Sequence, residues 1–243
     1  MEQSMDRSMD FSAERGMPPP SAARQPVVAL IGPTAVGKTA LSLELASRLG
    51  AEVISVDSRQ VYRYMDVGTD KLSLSERRRI PHHAVDVVDP DEVFTVSSFV
   101  SLALGAVSRI RSRGRVPLFV GGTPFYYHAL FHASMNAALP HDPEVRRRYE
   151  EQAERDGGDV LHARLAEVDA PTASRLHPND VRRVVRALEL WELSGMPPSR
   201  LYAAGEKRES GLNVLYLGLN RPRPELFDRI AVRVRQQFAS GYP

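Results

Sequence analysis

Three short, largely apolar runs, each separated from the next by a helical pattern, dominate the first half of the chain. They are Val27–Ile31, Glu52–Val56 and Val116–Val120, and such runs are typical of strands buried in a parallel sheet. Leucines at helical spacing fill Lys38–Leu49, and a second helical pattern covers Val96–Arg113. Strands that alternate with helices predict an α/β fold with a parallel sheet flanked by helices.

The pattern changes near residue 139, after which only helical spacing occurs up to residue 205. One helix is predicted over Val181–Ser194, with Asn179 as its N-cap and Gly195 at its end. A strand pattern returns at Asn213–Leu219. We therefore predict a flexible tail (1–26), an α/β domain (27–139 and 213–243) and an all-helical insert (140–212).

A last helix is predicted over Pro224–Ser240. Four apolar side chains recur along it at every fourth position, and we expect this stripe to cover one face of the sheet. The four residues are Leu226, Ile230, Val234 and Phe238.

Composition excludes several classes of function. The chain has no cysteine, which excludes disulfides, thiol catalysis and cysteine-ligated zinc. No apolar run reaches the roughly 18 residues that a membrane helix needs, and the N-terminus lacks the apolar stretch of a secretory signal. We expect a cytoplasmic protein with no membrane partner. The net charge of +2 neither requires nor excludes RNA binding.

The sequence GPTAVGKT matches the P-loop pattern G-x-x-x-x-G-K-[ST], and it lies between a predicted strand and a predicted helix. In such loops backbone N–H groups and the helix N-terminus cradle phosphates, the lysine neutralises charge, and the threonine can hold Mg²⁺. ATP, GTP and a prenyl diphosphate would all fit this description. The predicted phosphate-binding residues are Gly32, Pro33, Thr34, Ala35, Val36, Gly37, Lys38 and Thr39, with Thr39 as the metal ligand.

Polar residues follow the other two predicted strands at the same edge of the sheet. Asp57 follows the second strand, where its carboxylate could accept a substrate proton, hold a metal or cap the following turn. Gly121-Gly122-Thr123 follows the third strand, where P-loop NTPases usually carry an acid that binds a metal. The missing acid argues against an ordinary NTPase.

Arginines in the predicted insert lie at spacings that suit phosphate backbones. They are Arg146–Arg148, Arg182, Arg183 and Arg186. Acidic residues slightly outnumber basic ones in this region, so a solvated, salt-bridged surface is the alternative. His82, His83 and His177 have no matching third ligand in the sequence, and we interpret them as structural.

Four segments together resemble the bacterial tRNA dimethylallyltransferase (tRNA isopentenyltransferase) family. They are GPTAVGKT, ISVDSRQVYRYMDVGTDK, PLFVGGTPFYYHAL and HPNDVRRVVRALE, in that order, and the resemblance extends from Val27 to Gly241. It implies a P-loop NTPase-like fold and transfer of a dimethylallyl group from its diphosphate to N6 of the adenosine 3′-adjacent to the anticodon. The implied ligands are dimethylallyl diphosphate, Mg²⁺ and the anticodon stem-loop of tRNA, bound by a monomer.

The resemblance also implies roles for single residues. Asp57 would take the proton from the attacking amine, Thr123 would lie beside the reacting groups, and the P-loop would hold the diphosphate. The residues that would contact tRNA are Asp57, Ser58, Arg59, Gln60, Arg146, Arg182, Arg183, Val184, Val185 and Arg186. Family members continue beyond QQFASG into further helices with a V-G-Y-R-Q-like segment, so the resemblance implies that this chain lacks their C-terminal part.

Three other functions remain open from the residues. A small-molecule kinase would place ATP in the P-loop and use Asp57 as base. An adenylate isopentenyltransferase would prenylate a free nucleotide, against which the helical insert with its arginines argues. A non-catalytic module would bind phosphate and tRNA without chemistry.

Overall fold

The computed structural model describes residues 26–131, 139–204 and 211–242 of the chain. Five parallel strands form one sheet in the order β3-β2-β4-β1-β5. Their bounds are β1 Val27–Ile31, β2 Ala51–Val56, β3 His82–His83, β4 Val116–Gly121 and β5 Val214–Gly218. The predicted α/β fold with a parallel sheet is confirmed.

Helices flank the sheet and fill the predicted insert. Within the described residues their bounds are α1 Lys38–Leu49, α2 Leu74–Arg79, α3 Val96–Ser112, α4 Pro124–Phe131, α5 Pro143–Asp156, α6 Gly158–Val168, α7 Ala170–Ala173, α8 Val181–Ser194, α9 Pro198–Ala204 and α10 Arg223–Ala239. None of them is both long enough and apolar enough to cross a membrane.

Two apolar clusters cover the two faces of the sheet. On one face α1 packs over Leu30 of β1 and Val53 of β2, and on the other α3 places Phe99 and Ile110 against the sheet. Burial on both faces explains why the strands have few polar residues.

The elements around the P-loop have the predicted bounds. β1 covers Val27–Ile31 and α1 covers Lys38–Leu49, so the loop joins a buried strand to a helix N-terminus. The helix ends at Gly50, whose left-handed backbone (φ 59°, ψ 35°) lets its N–H bond the carbonyl of Ala46. Such a helix end is encoded locally, which is why the sequence predicted it.

The helices α5 to α8 have an apolar cluster of their own. It includes Tyr149, Leu161, Leu165, Val184 and Leu188, all at most 1% exposed. Three helices, α5, α6 and α8, therefore pack on one another through their apolar faces.

The predicted N-cap of α8 is wrong by one residue. Asp180 occupies that position and its side chain makes no capping bond, while the backbone N–H of Asn179 donates to Nδ1 of His177 (3.1 Å). The end of the helix at Gly195 is confirmed, since this residue is left-handed (φ 68°).

The predicted packing of the last helix is also wrong. No residue of α10 is buried, and Val234 and Phe238 of the apolar stripe are 41% and 58% exposed. The helix instead lies against the P-loop, to which its arginines donate hydrogen bonds. Residues 1–25 of the predicted tail lie outside the described residues.

Candidate active site

A cleft of about 890 Å³ lies where the P-loop, the segment after β2 and the segment after β4 meet. Its lining includes Lys38 and Thr39 of the loop, Asp57 after β2 and Thr123 after β4. All these segments follow the carboxyl ends of parallel strands, the edge at which α/β sheets bind ligands.

The P-loop follows the backbone path that its glycines allow. At Gly32 a Cβ atom would lie 2.7 Å from the carbonyl oxygen of Leu219, so no larger residue fits there. The first turn of α1 receives no capping bond from a side chain. Its N–H groups and positive dipole end are therefore available to an anion.

Lys38 is held inside the loop. Its Nζ donates to the carbonyl oxygens of Gly32 (2.9 Å) and Pro33 (2.8 Å). Burial lowers the pKa of Lys38 and the cation of Arg233 lowers it further, whereas the carboxylate of Asp57 raises it. Lys38, Asp57 and Arg233 thus line one cleft and are close enough for their charges to interact.

The carboxylate of Asp57 caps the turn that follows β2. Its Oδ1 accepts the backbone N–H groups of Arg59 (2.8 Å) and Gln60 (3.3 Å). These bonds fix the orientation of the carboxylate through one oxygen, so the capping role that the sequence left open is present. Capping does not exclude proton transfer, because Asp57 also lines the cleft.

The side chain of Gln60 is engaged within the protein. Its Oε1 accepts from Ser55 Oγ (2.8 Å), and its Nε2 donates to the carbonyl oxygens of Thr69 (2.9 Å) and Asp70 (3.3 Å). Of the four residues 57–60 expected to contact tRNA, Gln60 therefore also connects β2 to the segment around Asp70.

Thr123 is close to β2 because a glycine permits it. A Cβ atom on Gly121 would lie 2.0 Å from the carbonyl oxygen of Val56, a separation that only glycine avoids. The backbone N–H of Thr123 donates to that same oxygen (3.3 Å). The β4 end of the cleft thus offers a hydroxyl and no acid, as expected.

Three arginines near the P-loop were not singled out in the sequence. Arg221 Nε donates to the carbonyl oxygen of Val36 (2.8 Å), Arg229 Nε to that of Ala35 (2.7 Å), and Arg233 NH1 to Thr34 Oγ1 (2.8 Å). The spacing of Arg229 and Arg233, four residues apart on one face of a helix, was a signal that could have indicated them.

Two of the predicted RNA-binding arginines share a buried carboxylate. Glu189 is fully buried, and its Oε2 accepts from Arg146 NH2 (2.8 Å) and Arg186 NH1 (2.7 Å). Its Oε1 accepts from the backbone N–H of Asp142 (3.0 Å) and lies 2.9 Å from His141 Nδ1. Although burial opposes ionisation, these donors lower the pKa of Glu189 to about 2.

Of the other insert residues predicted to contact tRNA, two lie on the surface and two lie in the core. Arg182 and Arg183 are exposed, and Arg183 pairs with Asp180 (3.0 Å). Val184 and Val185 are at most 1% exposed in the core of the insert. Their side chains therefore cannot reach RNA, which corrects this part of the prediction.

The histidines have local partners. His83 Nε2 pairs with the buried carboxylate of Glu52 (2.7 Å), and His82 Nδ1 lies 2.6 Å from the carbonyl oxygen of Ile80. Burial lowers the pKa of His82. In the part of the chain that the structure describes, no three His, Cys, Asp or Glu side chains come together as a metal site.

Fold and cleft together define a P-loop protein in which the loop and Asp57 line one cleft and the helices α5 to α9 lie between β4 and β5 in the chain. The family model described as IPP transferase matches residues 60–243, and one described as Isopentenyl transferase matches residues 25–80. The chain belongs to the IPP transferase family.

Curated relatives support this assignment. The chain is 49% identical over 215 residues to a tRNA dimethylallyltransferase of Anaeromyxobacter dehalogenans, covering 88% of this chain and 71% of the relative. It is 47% identical to one of Thermomicrobium roseum, covering 90% of this chain and 65% of the relative. The chain thus spans roughly two thirds of the length of these relatives.

Solved structures give the same result. The full-length tRNA isopentenylpyrophosphate transferase from Bacillus halodurans matches with a TM-score of 0.58 and 41% identity, over 90% of this chain and 67% of that one. A eukaryotic dimethylallyltransferase acting on tRNA matches with a TM-score of 0.70 and 34% identity, over 88% and 53%. The expected P-loop NTPase-like fold is confirmed.

Proposed function

We propose that this protein transfers a dimethylallyl group from dimethylallyl diphosphate to N6 of the adenosine 3′-adjacent to the anticodon of tRNA. The observation that carries the proposal is that the P-loop and Asp57 line one cleft, while the segment after β4 offers Thr123 where an NTPase usually carries its metal-binding acid. Family membership and the names of the relatives support the same reaction.

The phosphate loop serves the leaving group in this reaction. When the C–O bond of the allylic diphosphate breaks, its electron pair stays on the diphosphate, which gains one negative charge. Lys38, the start of α1, Arg229 and Arg233 all line the cleft in which we propose that this charge develops. Stabilisation of a developing charge by fixed cations and dipoles accelerates the bond-breaking step.

Asp57 serves as the base. As the adenine amine forms its bond to the allylic carbon, the nitrogen becomes positively charged and must lose a proton. Asp57 Oδ1 accepts two backbone N–H groups, so Oδ2 is the oxygen that we assign to accept the proton. A carboxylate in fixed orientation is what general base catalysis requires.

The helical insert serves RNA binding. Arg182 and Arg183 are exposed at the start of α8, and Arg146 and Arg186 stay partly exposed (36% and 29%) while Glu189 holds them. Held guanidinium groups lose less side-chain entropy when they bind a phosphate. A free nucleotide would have no use for this surface, which favours tRNA over AMP as acceptor.

A magnesium ion is proposed beside the diphosphate. Mg²⁺ usually takes one or two protein oxygens together with water and phosphate oxygens, and Thr39, in the first turn of α1 on the cleft lining, fits this set. The ion would supply positive charge that offsets the negative charge of the leaving group.

We further propose that the protein acts as a cytoplasmic monomer. Light scattering on the purified chain tests its oligomeric state, and cell fractionation tests its location.

One experiment separates this function from the alternatives. The protein is incubated with dimethylallyl diphosphate labelled in the prenyl group, and with unmodified tRNA, AMP or ATP plus small-molecule acceptors. Label in tRNA at the adenosine next to the anticodon supports the proposal. Label in AMP would instead identify an adenylate isopentenyltransferase, ATP turnover a kinase, and tRNA retention without label a binding module.

A further inference from the structure

The helix α10 is held over the P-loop mainly by polar contacts. None of its residues is buried, and three arginines in or just before it donate to atoms of the loop segment 34–36. Its position therefore depends on charge and hydrogen bonds at the phosphate site more than on apolar packing.

Asp70 contacts one of these arginines, Arg233, and a glutamine one turn further along α10. Its Oδ2 is 2.6 Å from Arg233 NH1, and its Oδ1 accepts from Gln237 Nε2 (3.3 Å). Arg233 NH1 also donates to Thr34 Oγ1. Both contacts of Arg233 use NH1, and because a guanidinium has five N–H donors in a planar fork, others remain for an anion in the cleft.

The segment that carries Asp70 is firmly anchored. Lys71 Nζ, in a side chain only 1% exposed, binds the carbonyl oxygen of Tyr62 (2.6 Å) and the carboxylates of Asp66 (2.9 Å) and Asp86 (2.7 Å). Gln60 Nε2 also donates to the backbone carbonyl oxygens of Thr69 and Asp70. The backbone that carries Asp70 is thus anchored, although 43% of the Asp70 side chain is exposed.

We propose that Asp70 is a positioning residue that orients Arg233 at the phosphate loop before the diphosphate binds. It also joins the segment after β2, which carries Asp57, to the helix that covers the loop, because Gln60 contacts both Asp57 and Asp70. This inference rests on the proposal that the loop holds a diphosphate.

Whether replacement of Asp70 weakens or strengthens anion binding distinguishes a positioning role from a simple effect of its charge. Asp70 lines the cleft, so removal of its negative charge by itself would strengthen the binding of an anion. If Asp70 orients Arg233, its removal leaves the arginine to be ordered by the ligand, which weakens binding by about 2- to 12-fold per ordered side chain. Only the positioning role predicts weaker binding.

The test is calorimetric titration of inorganic pyrophosphate, with Mg²⁺ at one fixed ionic strength, into the full chain and three variants. Asp70→Asn removes the charge, and asparagine tolerates the left-handed backbone of this position (φ 53°). Asp70→Glu keeps the charge. Asp228→Asn is the matched control, because Asp228 lines the same cleft and its replacement removes the same charge.

We expect Asp70→Asn to weaken pyrophosphate binding by about 2- to 12-fold, Asp70→Glu to recover part of the loss, and Asp228→Asn to bind at least as tightly as the wild type. Unchanged thermal midpoints would show that all variants are folded. Equal or tighter binding by Asp70→Asn, or equal weakening by Asp70→Asn and Asp228→Asn, would overturn the proposal. Pyrophosphate binding needs neither tRNA nor prenyl transfer, so a wild type that binds pyrophosphate without transferring the prenyl group would refute only the proposed reaction.

Discussion

Replacement of Asp57 by asparagine separates its capping role from its proposed role as base. In the variant Asp57→Asn, the amide oxygen of the new side chain can still accept the backbone N–H groups that Oδ1 now accepts from Arg59 (2.8 Å) and Gln60 (3.3 Å). The turn after β2 should therefore persist. An NH₂ group replaces the second carboxylate oxygen, and it cannot accept a proton.

The expected loss lies in the chemical step. General base catalysis contributes about 10²- to 10⁴-fold to rate, so single-turnover transfer to tRNA should slow by that factor. The dissociation constant for tRNA should change little. Pyrophosphate should bind at least as tightly as to the wild type, since the carboxylate whose charge acts on Lys38 has been removed.

The test compares the single-turnover rate at saturating tRNA with the dissociation constant for tRNA, in the wild type and in Asp57→Asn. The matched control is Asp57→Ala, which removes both the base and the cap of the turn and should also lower the thermal midpoint. Unchanged transfer by Asp57→Asn, or a loss of tRNA affinity as large as the loss of rate, would refute the assignment of Asp57 as base.

Three further predictions concern charge. Lys38→Ala should slow transfer by about 10²- to 10³-fold, as removal of one donor to a developing charge does. An unchanged rate would refute the proposal that the P-loop holds the diphosphate. Because the pKa of Glu189 falls from 4.5 to about 2 on folding, it contributes stability that is present above pH 4.5 and lost as pH falls toward 2. Melting curves of Glu189→Gln from pH 7 to pH 2 should lose much of this acid sensitivity, and a wild-type profile in that variant would contradict a stabilising role for the ionised Glu189. Arg182→Ala/Arg186→Ala should reduce the slope of log K for tRNA against log salt by about 0.7–0.9 for each phosphate that is no longer neutralised. Parallel lines of equal affinity would show that neither arginine contacts an RNA phosphate.

Local sequence signals predicted the elements around the phosphate site. A continuous apolar run, a P-loop pattern and a terminal glycine act over neighbouring residues, and the observed bounds of β1 and α1 match the prediction. The position of Asp57 followed from the same logic, since a residue after a parallel strand must lie at the ligand-binding edge.

Such local signals could not predict contacts between residues that are far apart in the sequence. The helix α10 has an apolar stripe and a basic face, and periodicity alone cannot say which face meets the domain. The contact of Arg233 with Thr34 joins residues 199 positions apart. Glu189 and Arg146 are likewise 43 positions apart, so the sequence showed the arginine but not the carboxylate that holds it.

The placement of Asp57 and Lys38 in one cleft also explains how the proposed reaction balances charge. Bond breaking adds one negative charge to the diphosphate at the loop, and proton transfer removes one from Asp57. Burial lowers the pKa of Lys38, and the carboxylate of Asp57 opposes that shift while Arg233 adds to it. As the reaction proceeds, the negative charge of Asp57 is neutralised while that of the diphosphate increases by one. The net charge around Lys38 therefore changes little. Such compensation matters because Lys38 is partly buried, and an unbalanced charge costs more in a partly buried site than in water.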